Sequence, residues 1–174
     1  LHFGYHFSLF MDHVFECLIQ TYRPVVELAE KYRLPIGIEN MNKIHEEAEI
    51  AYLGVTVDEL ARVFNAIPSK YFGLTLDIAH ASLLPGGPES FMDAFPDRIV
   101  STHVSDNDLV LDRHVPVGNG KIDFKRVFAN LMKIGFKGTL NIELPRSNED
   151  RALSKRRLEP ILAELGILQS ALTP

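Results

Sequence analysis

The sequence alternates between short apolar runs and amphipathic helical patterns along its whole length. Five apolar runs have the length and composition of strands, and they cover residues 1–7, 36–39, 72–80, 98–104 and 138–145. The first of these runs is interpreted as the end of a strand and the loop that follows it. Strands that alternate with helical patterns are typical of a parallel sheet joined by crossover helices. The sequence therefore predicts an α/β fold.

The helical patterns between these runs set further expectations. They cover residues 9–33, 55–67, a short segment that ends near 95, 124–135 and 147–168. Pro24 is expected to kink or divide the first helix near Arg23, and Pro160 is expected to perturb the last. Thr56 and Glu59 have the spacing of a capping box. Residues 41–56 are polar and show no clear period, which predicts a loop.

Length and composition limit the classes of protein to consider. The 174 residues are enough for a single domain, taken as residues 1–174, and the net charge of -5 argues against a large nucleic-acid footprint without excluding one. Cys17 is the only cysteine, so we expect a reducing compartment, the cytoplasm. No apolar run approaches the roughly 20 residues of a spanning helix, so no membrane association is expected.

Each of the five strand-like runs ends in a residue that can bind a metal. These residues are His2, Glu39, Asp77, His103 and Glu143. Because side chains alternate along a strand, Asp77 shares a face with Thr75, while Leu76 points to the other face. Three of the other strand ends follow the same pattern. In (β/α)8 barrels the carboxyl ends of the strands converge on the active site, so this placement predicts a polar site at the mouth of a barrel.

The loop after the fourth run is dense in ligand-type side chains. It carries Asp106, Asp108, Asp112 and His114 within a dozen residues of His103. Asp112 and His114 are two residues apart, so they share a face in an extended loop. Asp106 and Asp108 belong to the turn sequence SDND, which favours a turn or capping role for both.

Two further features border this loop. His80 lies three residues after Asp77, and its side chain reaches the same site if the strand passes into a helical turn there. Gly118 and Gly120 are expected to provide turn geometry before the helix predicted at 124–135.

Six motifs follow one another in the chain: LHFG, GIEN, LDIAH, HVSDND, DRHVPVGNGKIDF and NIELP. Together they resemble the xylose-isomerase-like TIM-barrel superfamily, which includes sugar isomerases, sugar epimerases and an endonuclease IV branch. The resemblance implies an incomplete (β/α)8 barrel, because the match begins at strand 4 and runs to strand 8. The first three strands are then expected either in a longer protein or from another chain. An incomplete barrel also makes a homo-oligomer a reasonable expectation.

The same resemblance implies a ligand set. The residues matching the central divalent metal site, for Mn²⁺, Mg²⁺ or Zn²⁺, are Glu39, Asp77, His103 and Glu143. The resemblance assigns the rest of the site to His2, His80, Asp112 and His114. In the endonuclease branch these latter residues bind additional zinc ions.

Three functions remain open from the sequence. The first is a metal-dependent isomerase or epimerase of a sugar or sugar phosphate, in which Glu39 and Glu143 move protons next to a carbonyl and His80 contacts a substrate hydroxyl. The second is an endonuclease IV-like zinc phosphodiesterase acting on abasic DNA. The third is a barrel that binds metal or sugar without turnover. Leu109 departs from the ketose 3-epimerases, which carry an arginine six residues after the metal histidine.

Overall fold

The computed structural model describes residues 5–7, 10–44, 50–145 and 147–167. In chain order the elements are β1 (Tyr5–Phe7), α1 (Met11–Tyr32), β2 (Ile36–Glu39), β3 (Ile50–Tyr52), α2 (Val57–Ala66), β4 (Phe72–Asp77), α3 (Ile78–Ser82), α4 (Gly87–Ala94), β5 (Ile99–Val104), α5 (Phe124–Lys133), β6 (Thr139–Ile142) and α6 (Asn148–Glu164).

A parallel sheet of four strands in the order β2-β4-β5-β6 forms the centre of the molecule. All three pairings are parallel, and helices connect the strands, so the carboxyl ends of all four strands lie at one edge. The register pairs Asp77 with His103 across β4 and β5. The predicted α/β class is therefore confirmed, and the sheet is part of a barrel.

The two faces of the sheet differ as the alternation of side chains predicts. Leu74 and Leu76 on β4 are fully buried in the hydrophobic core, where α2 adds Phe64. On the other face of β4 and β5, the hydroxyl groups of Thr75 and Ser101 lie 2.7 Å apart in a hydrogen bond. Burial of each large apolar side chain contributes roughly 1.5–3 kcal/mol, so the helix-covered face stabilises the sheet and leaves the other face free for polar residues.

The helix boundaries follow local signals closely. The capping box at the start of α2 is present, because Thr56 Oγ1 accepts from Glu59 N and the Glu59 carboxylate accepts from Thr56 N. The helix α1 runs through Pro24 without a break, so the proline does not divide it. Proline removes one backbone donor, and the buried apolar face that includes Val26 and Ala29 holds the helix together across it.

The prediction that residues 41–56 form a loop is wrong at β3. This strand pairs antiparallel with β1 in a separate two-stranded sheet, in which Tyr5 is opposite Tyr52. A three-residue strand is too short to show a period in sequence, and its partner lies more than forty residues away. The described part of the first predicted run, Tyr5–Phe7, therefore belongs to this small sheet. His2 lies outside the described residues.

Within the described ranges, no helix combines the length and apolar character that crossing a membrane requires. The predictions of a cytoplasmic location, of a single domain over 1–174 and of barrel strands supplied from elsewhere stay predictions.

Candidate active site

Four side chains meet at the carboxyl edge of the parallel sheet. Glu39 and Asp77 are the last residues of β2 and β4, His103 is the penultimate residue of β5, and Glu143 follows β6 directly. One ligand atom from each side chain lies within 4.8 Å of the ligand atoms of the other three. Adjacent parallel strands in this register bring together residues far apart in sequence.

The carboxylates converge on a single ring nitrogen. His103 Nδ1 lies 3.0 Å from Glu39 Oε1, 2.7 Å from Glu143 Oε2 and 3.9 Å from Asp77 Oδ2. One N–H can satisfy only one of these oxygens well, and it bonds to Glu39. Among the residues that the structure describes, none donates a hydrogen bond to the buried atoms Asp77 Oδ2 and Glu143 Oε2. Buried anionic oxygens without a donor are costly, so this arrangement fits a divalent cation held by oxygen and imidazole ligands.

The electrostatics of the protein alone reflect this crowding. Glu143 and Glu39 raise the pKa of His103 to about 10, because both carboxylates stabilise the imidazolium. Burial raises the pKa of Asp77 to about 7, against the opposing charge of His80. The pKa of Glu143 is lowered by its contact with His103. In the protein alone, the protons on His103 and Asp77 therefore offset part of the negative charge of the carboxylates in this cluster.

Asn40 is a site residue to which the sequence interpretation gave no role. Its side chain is fully buried, and it bonds both backbone groups of Asp77: Nδ2 donates to Asp77 O at 3.1 Å, and Oδ1 accepts from Asp77 N at 2.7 Å. Its own carbonyl oxygen accepts from His80 Nδ1 at 2.9 Å. The available signal was its position directly after a strand end, in the motif GIEN.

A second cluster adjoins the first and is built around Asp112. His80 Nε2 lies 3.3 Å from Asp112 Oδ2, and His114 Nε2 lies 3.2 Å from Asp112 Oδ1. Asn42 Nδ2 also donates to Asp112 Oδ2. Asp77, His80 and His114 form another group whose ligand atoms lie within 4.8 Å of one another. The structure thus brings together three of the four additional residues from the sequence analysis, and His2 is outside its described part.

The two histidines of this cluster are oriented through their Nδ1 atoms. His80 Nδ1 is held by Asn40 O, and His114 Nδ1 lies 3.2 Å from Ser105 Oγ, so each Nε2 faces Asp112. Burial lowers the pKa of His80, but Asp112, Asp77 and the carbonyl oxygen of Asn40 together outweigh it, and the pKa rises to about 9. Asp112 raises the pKa of His114. Burial raises the pKa of Asp112, but the imidazoles of His114 and His80 lower it more, so this pKa lies well below its usual range.

The two remaining aspartates of the loop organise its backbone. Asp106 is buried, and its carboxylate accepts from the backbone N–H groups of Asn107, Gly118, Gly120 and Ile122. Asp108 accepts from the N–H groups of Val110 and Leu111 and pairs with Arg113, and these contacts lower its pKa to about 2. The turn and capping role predicted for both aspartates is confirmed.

The backbone of this loop requires glycine at positions 118 and 120. Gly118 has a φ of 82°, which a side chain disfavours. A Cβ on Gly120 would lie 2.2 Å from Asn107 O, so only glycine permits the close approach of these two segments.

A sequence model of the family described as xylose isomerase-like TIM barrel matches residues 1–169. The chain belongs to the xylose isomerase-like TIM-barrel family. A solved structure of a D-tagatose 3-epimerase-like protein of this fold superposes with a TM-score of 0.84 at 31% identity, covering 95% of this chain and 62% of that one. The expected fold and superfamily are therefore confirmed.

Two curated relatives of this xylose isomerase-like chain differ in what their names say. The uncharacterized protein MJ1311 of Methanocaldococcus jannaschii is 33% identical over 168 residues, which cover 93% of this chain and 55% of that protein. The L-ribulose-5-phosphate 3-epimerase UlaE of Escherichia coli O1:K1 / APEC is 28% identical over 151 residues, covering 84% of this chain and 50% of that enzyme. The chain spans about half the length of these curated relatives.

Proposed function

We propose that this chain forms part of the active site of a metal-dependent sugar epimerase or isomerase. The observation that carries the proposal is the placement of Glu39 and Glu143. Glu39 ends and Glu143 directly follows the two outermost strands of the four-stranded sheet, yet both reach within 3.0 Å of His103 Nδ1. Because these two carboxylates approach His103 from opposite edge strands of the sheet, they are suited to act on the two faces of one substrate carbon. The sugar epimerases among its relatives support this proposal.

The central cluster fits a divalent metal, with Glu39, Asp77, His103 and Glu143 as its ligands. The donor set is three carboxylates and one imidazole, which suits Mn²⁺, Mg²⁺ and Zn²⁺. When bound, such a cation supplies Lewis acidity that polarises the carbonyl and hydroxyl oxygens of a sugar. Asp77 is fully buried and its orientation is fixed by Asn40, so it serves to position the cluster.

Proton transfer in this proposal belongs to the two glutamates. One carboxylate removes the proton from the carbon next to the carbonyl, which gives an enediolate, and the other delivers a proton to the opposite face. In an aldose–ketose isomerisation, one glutamate would instead return the proton to the neighbouring carbon. His80 would contact a substrate hydroxyl through Nε2, which lies 3.3 Å from Asp112 Oδ2, because its Nδ1 atom is already bonded to Asn40 O.

Hydrogen exchange tests this proposal across a range of sugars. The protein is supplied with Mn²⁺ and incubated in D₂O with a panel of ketopentoses, ketohexoses and their phosphates, and ¹H NMR follows deuterium at the carbon next to the carbonyl. We expect exchange with at least one sugar, and we expect E39Q combined with E143Q to abolish it while circular dichroism stays unchanged. Exchange that persists in the double variant would place the chemistry elsewhere.

One observation favours a second candidate function, a zinc phosphodiesterase that acts on abasic DNA. His80, Asp112 and His114 form a second cluster of metal-ligand type next to the first. Metal analysis after saturation with Zn²⁺ separates the two proposals, because the phosphodiesterase requires more than one zinc ion per chain. Incision of a duplex with one abasic site, lost in E143Q, would favour this second function over sugar chemistry.

A further inference from the structure

A cavity of about 550 Å³ opens beside the central cluster and extends to the last helix. His103, His114 and Glu143 of the candidate site line it together with Arg151 of α6. Its volume lies within the roughly 300–1,000 Å³ of cavities that take small ligands. A ligand that reaches the central cluster through this cavity therefore meets a guanidinium group as well.

The guanidinium of Arg151 is held in place by neutral acceptors. Its Nη2 atom donates to Leu144 O at 2.6 Å, and its Nη1 atom donates to Asn148 Oδ1 at 3.2 Å. In the described ranges, Arg151 forms no ion pair with a carboxylate, whereas Arg113 and Arg126 pair with Asp108 and Glu89. Its charge is therefore fixed in position and not neutralised, and the guanidinium has further N–H groups to donate.

The surroundings of Arg151 are otherwise negatively charged. The chain carries a net charge of -5, and the central cluster alone contributes three carboxylates. An anionic substrate is repelled by such a site unless a cation attracts its charged end. A planar guanidinium is the side chain best suited to this, because it binds phosphate oxygens with two parallel hydrogen bonds.

We infer that Arg151 binds the phosphate group of the substrate, and that the substrate is a phosphorylated ketose. This inference rests on the proposed function, since it assumes that the carbonyl end of the sugar lies at Glu39 and Glu143. The phosphate at the other end of the chain of carbon atoms then lies in the cavity beside α6. Arg151 is thus a specificity-determining residue, which contacts the substrate away from the reacting carbon.

The test compares each ketose with its own phosphate in the deuterium-exchange assay. We expect the wild-type protein to prefer the phosphorylated ketose, and we expect R151M to lower kcat/KM for it by about 10- to 100-fold, the effect of losing a charge-assisted hydrogen-bond pair. Exchange of the free ketose should change less than threefold. R151K should recover part of the loss. R156M is the matched control, because Arg156 is an exposed arginine of the same helix that does not line the cavity.

A binding measurement separates failure of this inference from failure of the proposed function. Inorganic phosphate is the probe, and calorimetry should show weaker binding to R151M than to the wild-type and R156M proteins. Unchanged phosphate binding in R151M, or an equal loss of exchange for free and phosphorylated ketose, would overturn the role of Arg151 while leaving epimerisation intact. Absence of exchange with every sugar would overturn the proposed function, and the inference with it. A preference for a sugar carboxylate over the phosphate would overturn the substrate class alone.

Discussion

The side chain of Asn40 forms two hydrogen bonds with the backbone of Asp77, one to its carbonyl oxygen at 3.1 Å and one from its N–H at 2.7 Å. These bonds join the ends of β2 and β4 at the point where both strands present a ligand. Because both residues are fully buried, no solvent replaces either bond. Asn40 therefore fixes the separation of Glu39 and Asp77 and, through its own carbonyl oxygen, the orientation of His80.

Substitution of Asn40 is predicted to destabilise the fold. N40A removes two buried hydrogen bonds to the backbone of Asp77, and a buried group that loses its partner costs about 1–3 kcal/mol, so we expect the free energy of unfolding to fall by about 2–5 kcal/mol. Urea unfolding followed by circular dichroism measures this change. N119A is the control, because Asn119 is an exposed amide in a surface turn. If both substitutions lowered the free energy of unfolding equally, the bonds to Asp77 would not contribute the predicted stability.

Metal affinity is predicted to rise with pH. In the metal-free site the pKa of His103 is about 10 and that of Asp77 is about 7, so both hold protons at pH 6 and must release them when a cation binds. Above pH 7 only His103 still has a proton to release. We expect Kd for Mn²⁺ to fall steeply between pH 5.5 and 7 and by about tenfold per pH unit from pH 7 to 9.

Calorimetry in buffers of different ionisation enthalpy counts these protons directly. The expected count is nearly two per bound ion at pH 6 and about one at pH 8. H103A should lower the affinity and remove one proton from the count at both values. A Kd that does not change with pH would mean that the cation binds elsewhere.

The two glutamates are predicted to separate proton removal from epimerisation. If each carboxylate serves one face of the substrate carbon, E39Q and E143Q should each lower kcat for epimerisation by about 100-fold or more. The glutamate that remains should still exchange the proton on its own face, so each variant should label a different epimer with deuterium. NMR of the recovered sugar distinguishes the epimers. Loss of exchange with both epimers in both variants would favour a single base.

Asp106 is predicted to be essential to the loop that carries Asp112 and His114. D106A removes the carboxylate that accepts hydrogen bonds from four backbone N–H groups. Loss of these charge-assisted bonds should lower the free energy of unfolding by about 3–5 kcal/mol. D108A is the matched control, because Asp108 also organises a turn but is solvent-accessible, and its effect should be clearly smaller. Thermal unfolding compares the two variants, and an equal loss would contradict the prediction.

Much of the fold could be predicted because its signals are local. The capping box at Thr56, the apolar face of α5 and the alternation of Leu74, Thr75 and Leu76 depend on residues close in sequence. The pairing of β1 with β3 could not be predicted, since it joins two short segments that lack a pattern of their own. The continuity of α1 through Pro24 was also beyond local rules, because burial against the core offsets the missing hydrogen bond.

The sequence by itself determined which side chains stand at the ends of the strands, because alternation along a strand assigns Glu39, Asp77 and His103 to the polar face. Only the tertiary structure decided that these side chains meet, since the distance between them depends on the order and register of strands separated by whole helices. The same is true of Asn40 and Arg151. Apart from the position of Asn40 directly after a strand end, nothing near either residue in sequence indicates its role, because the groups that give each residue its role are brought close only by the packing of the chain.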